Sequence, residues 1–194
     1  IGSNLAATGT FPASKYLLNV PGGGLADIIL NGYFGDTIKA KVAASYGYDT
    51  STASGLADLN SAITAVELST THAIYSGSVD PLNTGNRSNP SQVLVQQIIG
   101  DTVAPNSNTE LLSQVMGLTT LNDGDTQTDN NTNPRSRWVF DPANYSGGTA
   151  GHGFLLNNEV PTATSKGQIQ ALCFLYAGKI PDPSKDINTS TCSN

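Results

Sequence analysis

The sequence predicts an α/β fold built around a parallel sheet, and three observations carry that expectation. The clearest apolar runs, residues 16–20, 93–99 and 137–140, are short enough for strands. Between them lie longer stretches whose apolar residues recur at helical spacing, so strands alternate with helices as a parallel sheet requires. The 194 residues leave room for one such domain, within the usual span of about 100–200.

Tyr16, Leu17, Leu18, Asn19 and Val20 run directly into Pro21-Gly22-Gly23-Gly24, the pattern of a buried strand ending in a tight turn. After the glycines, Leu25, Ile28, Ile29 and Leu30 predict a short helix that stops at Asn31-Gly32, and residues 38–44 predict another. From Gly55 onward, Leu56, Leu59, Ile63, Val66 and Ile74 keep roughly helical spacing among Ser, Thr and Asn, which predicts a long amphipathic helix, whole or broken. Residues 93–99 form the clearest strand, preceded by Asn89-Pro90 and ended by Gly100-Asp101. Asn108 is expected to cap a helix with Leu111, Leu112, Val115 and Met116 on one side and Gly117 at its end. Residues 122–134 read as a polar, aspartate-rich loop before the strand at 137–140. A last helix is predicted over 165–176, where Ile169, Leu172, Cys173 and Tyr176 share a face, ended by Gly178.

Composition narrows the function. Only 12% of residues are charged, against roughly 25% in an average globular protein, which excludes a charge-dense disordered tail or a coiled coil. Nine Lys and Arg against fifteen Asp and Glu give a net charge of -6 and a pI near 4.6. No basic surface is available to neutralise phosphates, so nucleic acid is not expected as a partner. No apolar run reaches the ~18 residues of a membrane span. The chain opens Ile1-Gly2-Ser3 without a basic or apolar leader, as a processed mature chain or a fragment would. Cys173 and Cys192 stand 19 positions apart, too few cysteines for a zinc site without clustered histidines. Few lysines and abundant Ser, Thr and Asn suggest an exported protein in which Cys192 staples the C-terminal tail to the helix carrying Cys173; two buried free thiols are the other reading.

In α/β sheets, function sits beyond the carboxyl ends of the strands, which points to Gly22 and its neighbours, to Asp101, and to the loop after Phe140 that holds His152. Asp101 lies in Ile99-Gly100-Asp101-Thr102-Val103-Ala104-Pro105, and His152 follows 51 residues later in Gly151-His152-Gly153-Phe154-Leu155. That spacing admits one helix and one strand. An acid that orients a histidine, with glycines letting the histidine loop bend toward a nucleophile, is the arrangement of a hydrolytic triad. The plain alternative makes Asp101 a turn cap and His152 an ordinary loop histidine.

The run G-D-T-V-A-P after an apolar strand and the later H-G-F-L resemble the acid and histidine loops of α/β-hydrolase fold lipases. With the Leu18-Asn19-Val20-Pro21-Gly22-Gly23-Gly24-Leu25-Ala26 run, the Asp80-Pro81-Leu82-Asn83 stretch and the helix over 109–118, the chain is similar to the C-terminal half of bacterial extracellular or virulence-factor lipases across residues 16–178. This resemblance implies the C-terminal part of an α/β-hydrolase parallel sheet, with Asp101 as triad acid and His152 as general base. It also implies a lipid or small ester substrate, contact with a lipid interface, no cofactor, and a secreted or cell-surface location in a bacterium.

The chain departs from that family at the nucleophile, because no G-x-S-x-G occurs in it. In the hydrolase order the nucleophile precedes acid and histidine, so it is expected upstream of Ile1, in an N-terminal part of the same protein. Ala43-Ala44-Ser45-Tyr46-Gly47 is a rival elbow with Ala in place of the first Gly, but Lys39 and Lys41 sit where a central strand should be buried on both faces. His72 lacks flanking glycines and is expected to be structural, and Asp80 is an alternative acid with no useful strand before it. Asp123, Asp125 and Asp129 are spaced like calcium ligands, but Thr128 and Pro134 stand where an EF-hand wants Gly and Glu, so a solvated loop is expected. The Gly22 run lacks a following lysine and is expected to be a strand-end turn rather than a phosphate cradle.

Together these readings give residues 1–194 as the C-terminal portion of one hydrolase domain, with residues 31–89 as a helical cap inserted between the first two strands. The expected activity is acyl-ester hydrolysis through a Ser-His-Asp triad, with the isolated chain inactive. A noncatalytic secreted binding domain of hydrolase-like fold is the alternative.

Overall fold

The computed structural model describes residues 2–8, 13–74, 80–87, 92–125, 135–146 and 151–192. Their four strands, β1 (Lys15–Asn19), β2 (Gln92–Ile98), β3 (Thr119–Asn122) and β4 (Arg135–Phe140), form one parallel sheet in the order β1-β2-β4-β3. The register sets Leu17 beside Leu94, Leu94 beside Ser136, and Thr120 beside Arg137. The parallel α/β architecture expected from the alternation of apolar runs is present. Strand β3 was not expected: it is only four residues long, mostly exposed and rich in Thr, and carries no apolar run; it takes Asn122 from the start of the predicted polar loop, of which residues 126–134 lie outside the described residues.

Residues alternate across the sheet, so β1 and β2 feed two cores, one on each face. On one face Leu18, Val93 and Val95 pack with Leu112 and Met116, the latter two from α5 (Asn106–Val115) and the residue that ends it. On the other, Leu94, Ile98, Trp138 and Phe140 pack with Phe154, Ala163 and Phe174, beneath α6 (Pro161–Ala177). Two glutamines of β2 lie inside these layers. Gln96 Nε2 donates to Gln170 Oε1 and to the Gly167 carbonyl, both at 3.0 Å, and Gln97 Nε2 donates to Glu110 Oε1 at 3.4 Å. Leaving such buried donors unmade would cost about 1–3 kcal/mol each, which is why a central strand tolerates glutamine only with these partners.

The expected packing face of the last helix is corrected. Gly167, Gln170, Ala171 and Phe174 are buried, while Leu172 and Tyr176 are exposed; of the predicted face, Cys173 alone is fully buried. The contact runs through small residues: a Cβ at Gly167 would lie 2.7 Å from Leu155 Cδ2 and 3.0 Å from Phe154 Cε2. Large-residue periodicity cannot find a face whose function is close approach. Asn108 is likewise not the cap of α5, which starts two residues earlier; it reaches back to donate from Nδ2 to the Gly23 carbonyl at 2.9 Å.

Helix α1 (Gly2–Thr8), too short to show a period, was not expected. Between β1 and β2 come α2 (Leu25–Asn31), α3 (Gly35–Tyr46) and the unbroken α4 (Ala53–Ile74), so the described part of the segment predicted as a cap is largely helical. Cys173 and Cys192 form the disulfide that ties the tail to α6, with Ile180 and Ile187 buried beneath the intervening loop. Closing a loop of this size stabilises by about 3 kcal/mol.

Candidate functional site

Strand β2 delivers Asp101 to the carboxyl edge of the sheet through a sharp turn. Gly100 has φ +89°, a left-handed conformation that favours glycine. Immediately after it, Asp101 Oδ1 accepts hydrogen bonds from the Val103 and Ala104 backbone N–H groups at 2.9 and 3.1 Å. These bonds leave Oδ2 directed at His152 Nδ1, 2.8 Å away. The aspartate side chain is 1% exposed, while the imidazole is 40% exposed.

His152 comes from a different source of order. It precedes a turn closed by the Leu156 and Asn157 N–H groups, both bonded to the Gly153 carbonyl at 2.7 and 2.9 Å. Phe154 is fully buried against Phe140 and anchors that turn in the core. Helix α6 holds its backbone: Thr164 Oγ1 donates to the Phe154 carbonyl at 2.6 Å and Gln168 Nε2 to that of Leu155 at 2.7 Å. Because β2 and β4 are adjacent in the sheet, loops far apart in sequence meet here. The two residues singled out by sequence are therefore brought together.

A buried carboxylate that accepts from Nδ1 holds the imidazole proton on that nitrogen and leaves Nε2 as the acceptor. Among the described residues nothing hydrogen-bonds to Nε2. No protein-family model, curated protein or solved structure matches this chain. The chemistry of the site is accordingly read from its own geometry.

The rival residues fall elsewhere. Asp80 is committed to backbone: Oδ1 accepts from Gly24 and Leu82 N–H at 3.0 and 2.9 Å, and Oδ2 from Leu25 N–H at 2.8 Å. Its carboxylate occupies the N–H groups of the glycine turn that an external anion would need. Ser45 lies exposed in the last turn of α3, not on a strand-to-helix elbow. His72 is in α4, and its side chain falls outside the described residues, as does Asp129.

Asp123 corrects the expectation of a solvated loop. Its Oδ1 accepts from Trp138 Nε1 at 3.0 Å and Tyr145 Oη at 2.9 Å, and its Oδ2 from Asp141 N–H and Asn144 Nδ2, both at 3.1 Å. Asp125 Oδ2 accepts from the Asn122 backbone at 2.7 Å. Four donors on Asp123 leave it no capacity for a cation, and among the described residues no group of three His, Cys, Asp or Glu side chains is placed to hold a metal. Burial, reinforced by the Asp123 charge, pushes the Tyr145 phenol well above its ordinary range, so the hydroxyl stays a donor.

Two contributors were missed from sequence. Asn106 bonds to both sides of the Gly100 turn, and the Tyr33 N–H, between α2 and α3, donates to the Thr102 carbonyl at 2.8 Å. An asparagine just after Pro105 and a few residues beyond a Gly-Asp turn is a readable signal for the first. Nothing in the sequence signals the second.

Proposed function

We propose that this chain carries the acid and base of a serine-type acyl-ester hydrolase, with Asp101 orienting His152 and His152 Nε2 acting as general base. The observation that carries the reading is the 2.8 Å bond from a buried Asp101 to a half-exposed His152 at adjacent strand ends. In the proposed cycle Nε2 takes the proton of a serine hydroxyl as its oxygen attacks the ester carbonyl. The resulting imidazolium, stabilised by Asp101, returns that proton to the departing alkoxide, and water then releases the acid from the acyl-enzyme by the same route. The nucleophile is assigned to sequence outside these 194 residues, since Ser45 is on a helix and no G-x-S-x-G is present.

An apolar rim supports a lipid or other hydrophobic ester as substrate. Leu156, four residues past His152, is 90% exposed, and Tyr33 beside the acid loop is 70% exposed and stacked edge-on with Phe34. Residues 31–89 are read as a cap whose root grips the acid loop through Tyr33. A secreted or cell-surface location agrees with the disulfide.

The experiment is labelling with a fluorophosphonate, alongside hydrolysis of a short-chain nitrophenyl ester, on the 194-residue chain and on the full polypeptide its gene encodes. The expected result is labelling and turnover only in the longer polypeptide, lost in His152→Ala. Turnover by the 194-residue chain that disappears in Ser45→Ala would move the nucleophile to Ser45. No labelling in either would overturn the hydrolase reading in favour of a binding domain.

A further inference from the structure

We propose that Asn106 is the positioning residue of the pair, its carboxamide fixing the turn that holds Asp101 against His152. This rests on the hydrolase reading only for its catalytic consequence. The geometry is local and complete. Strand β2 ends at Ile98, and the next three residues must leave the sheet and reverse the chain to present Asp101. Ile99 N–H is still held by β4, through the Phe140 carbonyl at 3.0 Å. The groups on either side of it point away from β4, where no strand can pair with both. Asn106 bonds to both: Nδ2 donates to the Ile98 carbonyl at 2.7 Å, and Oδ1 accepts from Gly100 N–H at 2.9 Å.

One planar group thus supplies a donor and an acceptor to two backbone sites two residues apart, as a neighbouring strand would. Aspartate at neutral pH offers only acceptors, and alanine offers neither. Asp101 is joined directly to the clamped Gly100, whose left-handed φ turns the chain out of the sheet. Asn106 bonds backbone rather than Asp101 or His152, so its effect reaches the pair through the turn. A shift of ~1 Å in that turn breaks the Asp101–His152 bond, and misplacement on this scale costs on the order of 10²-fold in rate.

The test uses the chain labelled with ¹⁵N-histidine, in a His72→Gln background so that His152 alone reports. In the parent, His152 is expected to carry its proton on Nδ1, with a hydrogen-bonded proton signal far downfield of the amides. Asn106→Ala is expected to lose that signal and shift the ring toward the mixed tautomers of a free imidazole. Asn106→Asp, nearly isosteric and so the safer fold, keeps the acceptor for Gly100 but not the donor for Ile98, and is expected to lose the signal as well. Full retention of the Nδ1–H signal in a folded variant of either kind overturns the proposal. A parent that lacks the signal, or keeps it in Asp101→Asn, overturns the pairing itself and this inference with it. Loss of the signal in the Asn106 variants, alongside a full-length protein that never labels with fluorophosphonate, would support the positioning role and remove only the hydrolase reading.

Discussion

Two aspartates at the carboxyl edge of one sheet do opposite things. Asp101, after β2, commits one oxygen to two backbone N–H groups and keeps the other for His152. Asp123, after β3, commits both oxygens to four donors and faces nothing reactive. Residue type, strand end and an adjacent glycine are common to both. What separates a candidate catalytic acid from a structural hub is therefore the acceptor capacity left after the local donors are counted.

The largest expected effect tests the hub. Asp123→Ala leaves the buried Trp138 indole and Tyr145 hydroxyl without an acceptor, and should cost about 3–5 kcal/mol in urea unfolding. It should leave the Nδ1 proton of His152 in place if the chain is held below its unfolding transition. Next, the double change Cys173→Ser with Cys192→Ser should cost about 3 kcal/mol, on the order of 10 °C in Tm at this size, again without altering the imidazole signal.

Asp101→Asn should behave in the reverse sense. An amide retains the acceptor for Val103 and Ala104, so stability should fall by no more than about 1.5 kcal/mol. Its Nδ2 donates to His152 Nδ1, however, forcing the proton to Nε2, and ester turnover by the full-length protein should drop by on the order of 10³–10⁴. Equal destabilisation by Asp101→Asn and Asp123→Ala in the same urea series would erase the contrast.

The smallest effect concerns Tyr145, expected to cost about 1 kcal/mol as Phe. Its phenol is raised in the folded state, so above pH ~10 the unfolded chain loses a proton that the folded chain retains. Stability present below pH ~10 should then decline as pH rises, by up to about 1.4 kcal/mol per pH unit from this group. The lysines titrate there too, so the comparison is the difference between wild type and Tyr145→Phe unfolded at pH 9 to 11. A difference that stays flat across that range would remove Tyr145 as the source.

Residues near β2 were legible because a dense apolar run ending in Gly-Asp can hardly be other than a buried strand reaching the sheet edge. His152 was legible through its flanking glycines. The hub was not, since its partners Trp138 and Tyr145 lie 15 and 22 residues downstream and local pattern says nothing about who donates to a carboxylate. Strand β3 escaped because an edge strand needs only one modestly buried residue, here Leu121. The face of α6 escaped for the opposite reason: it packs by omission of bulk, through Gly167 and Ala171, while Leu172 and Tyr176 gave the period.

The sheet order also dictates a sequence of events in time. Strand β3 is synthesised before β4 yet bonds only to it, so β3 has no place in the sheet until β4 has intercalated beside β2. That step closes the long loop between β2 and β4, the kind of non-local pairing that slows folding. His152 can meet Asp101 only once it is complete. The chain's single tryptophan, Trp138, sits on β4 and is fully buried in one cluster with Phe154, Ala163 and Phe174, from the segment that carries His152 and α6. Its fluorescence in a stopped-flow refolding experiment is thus an intrinsic clock for the moment at which the acid and the base first face each other.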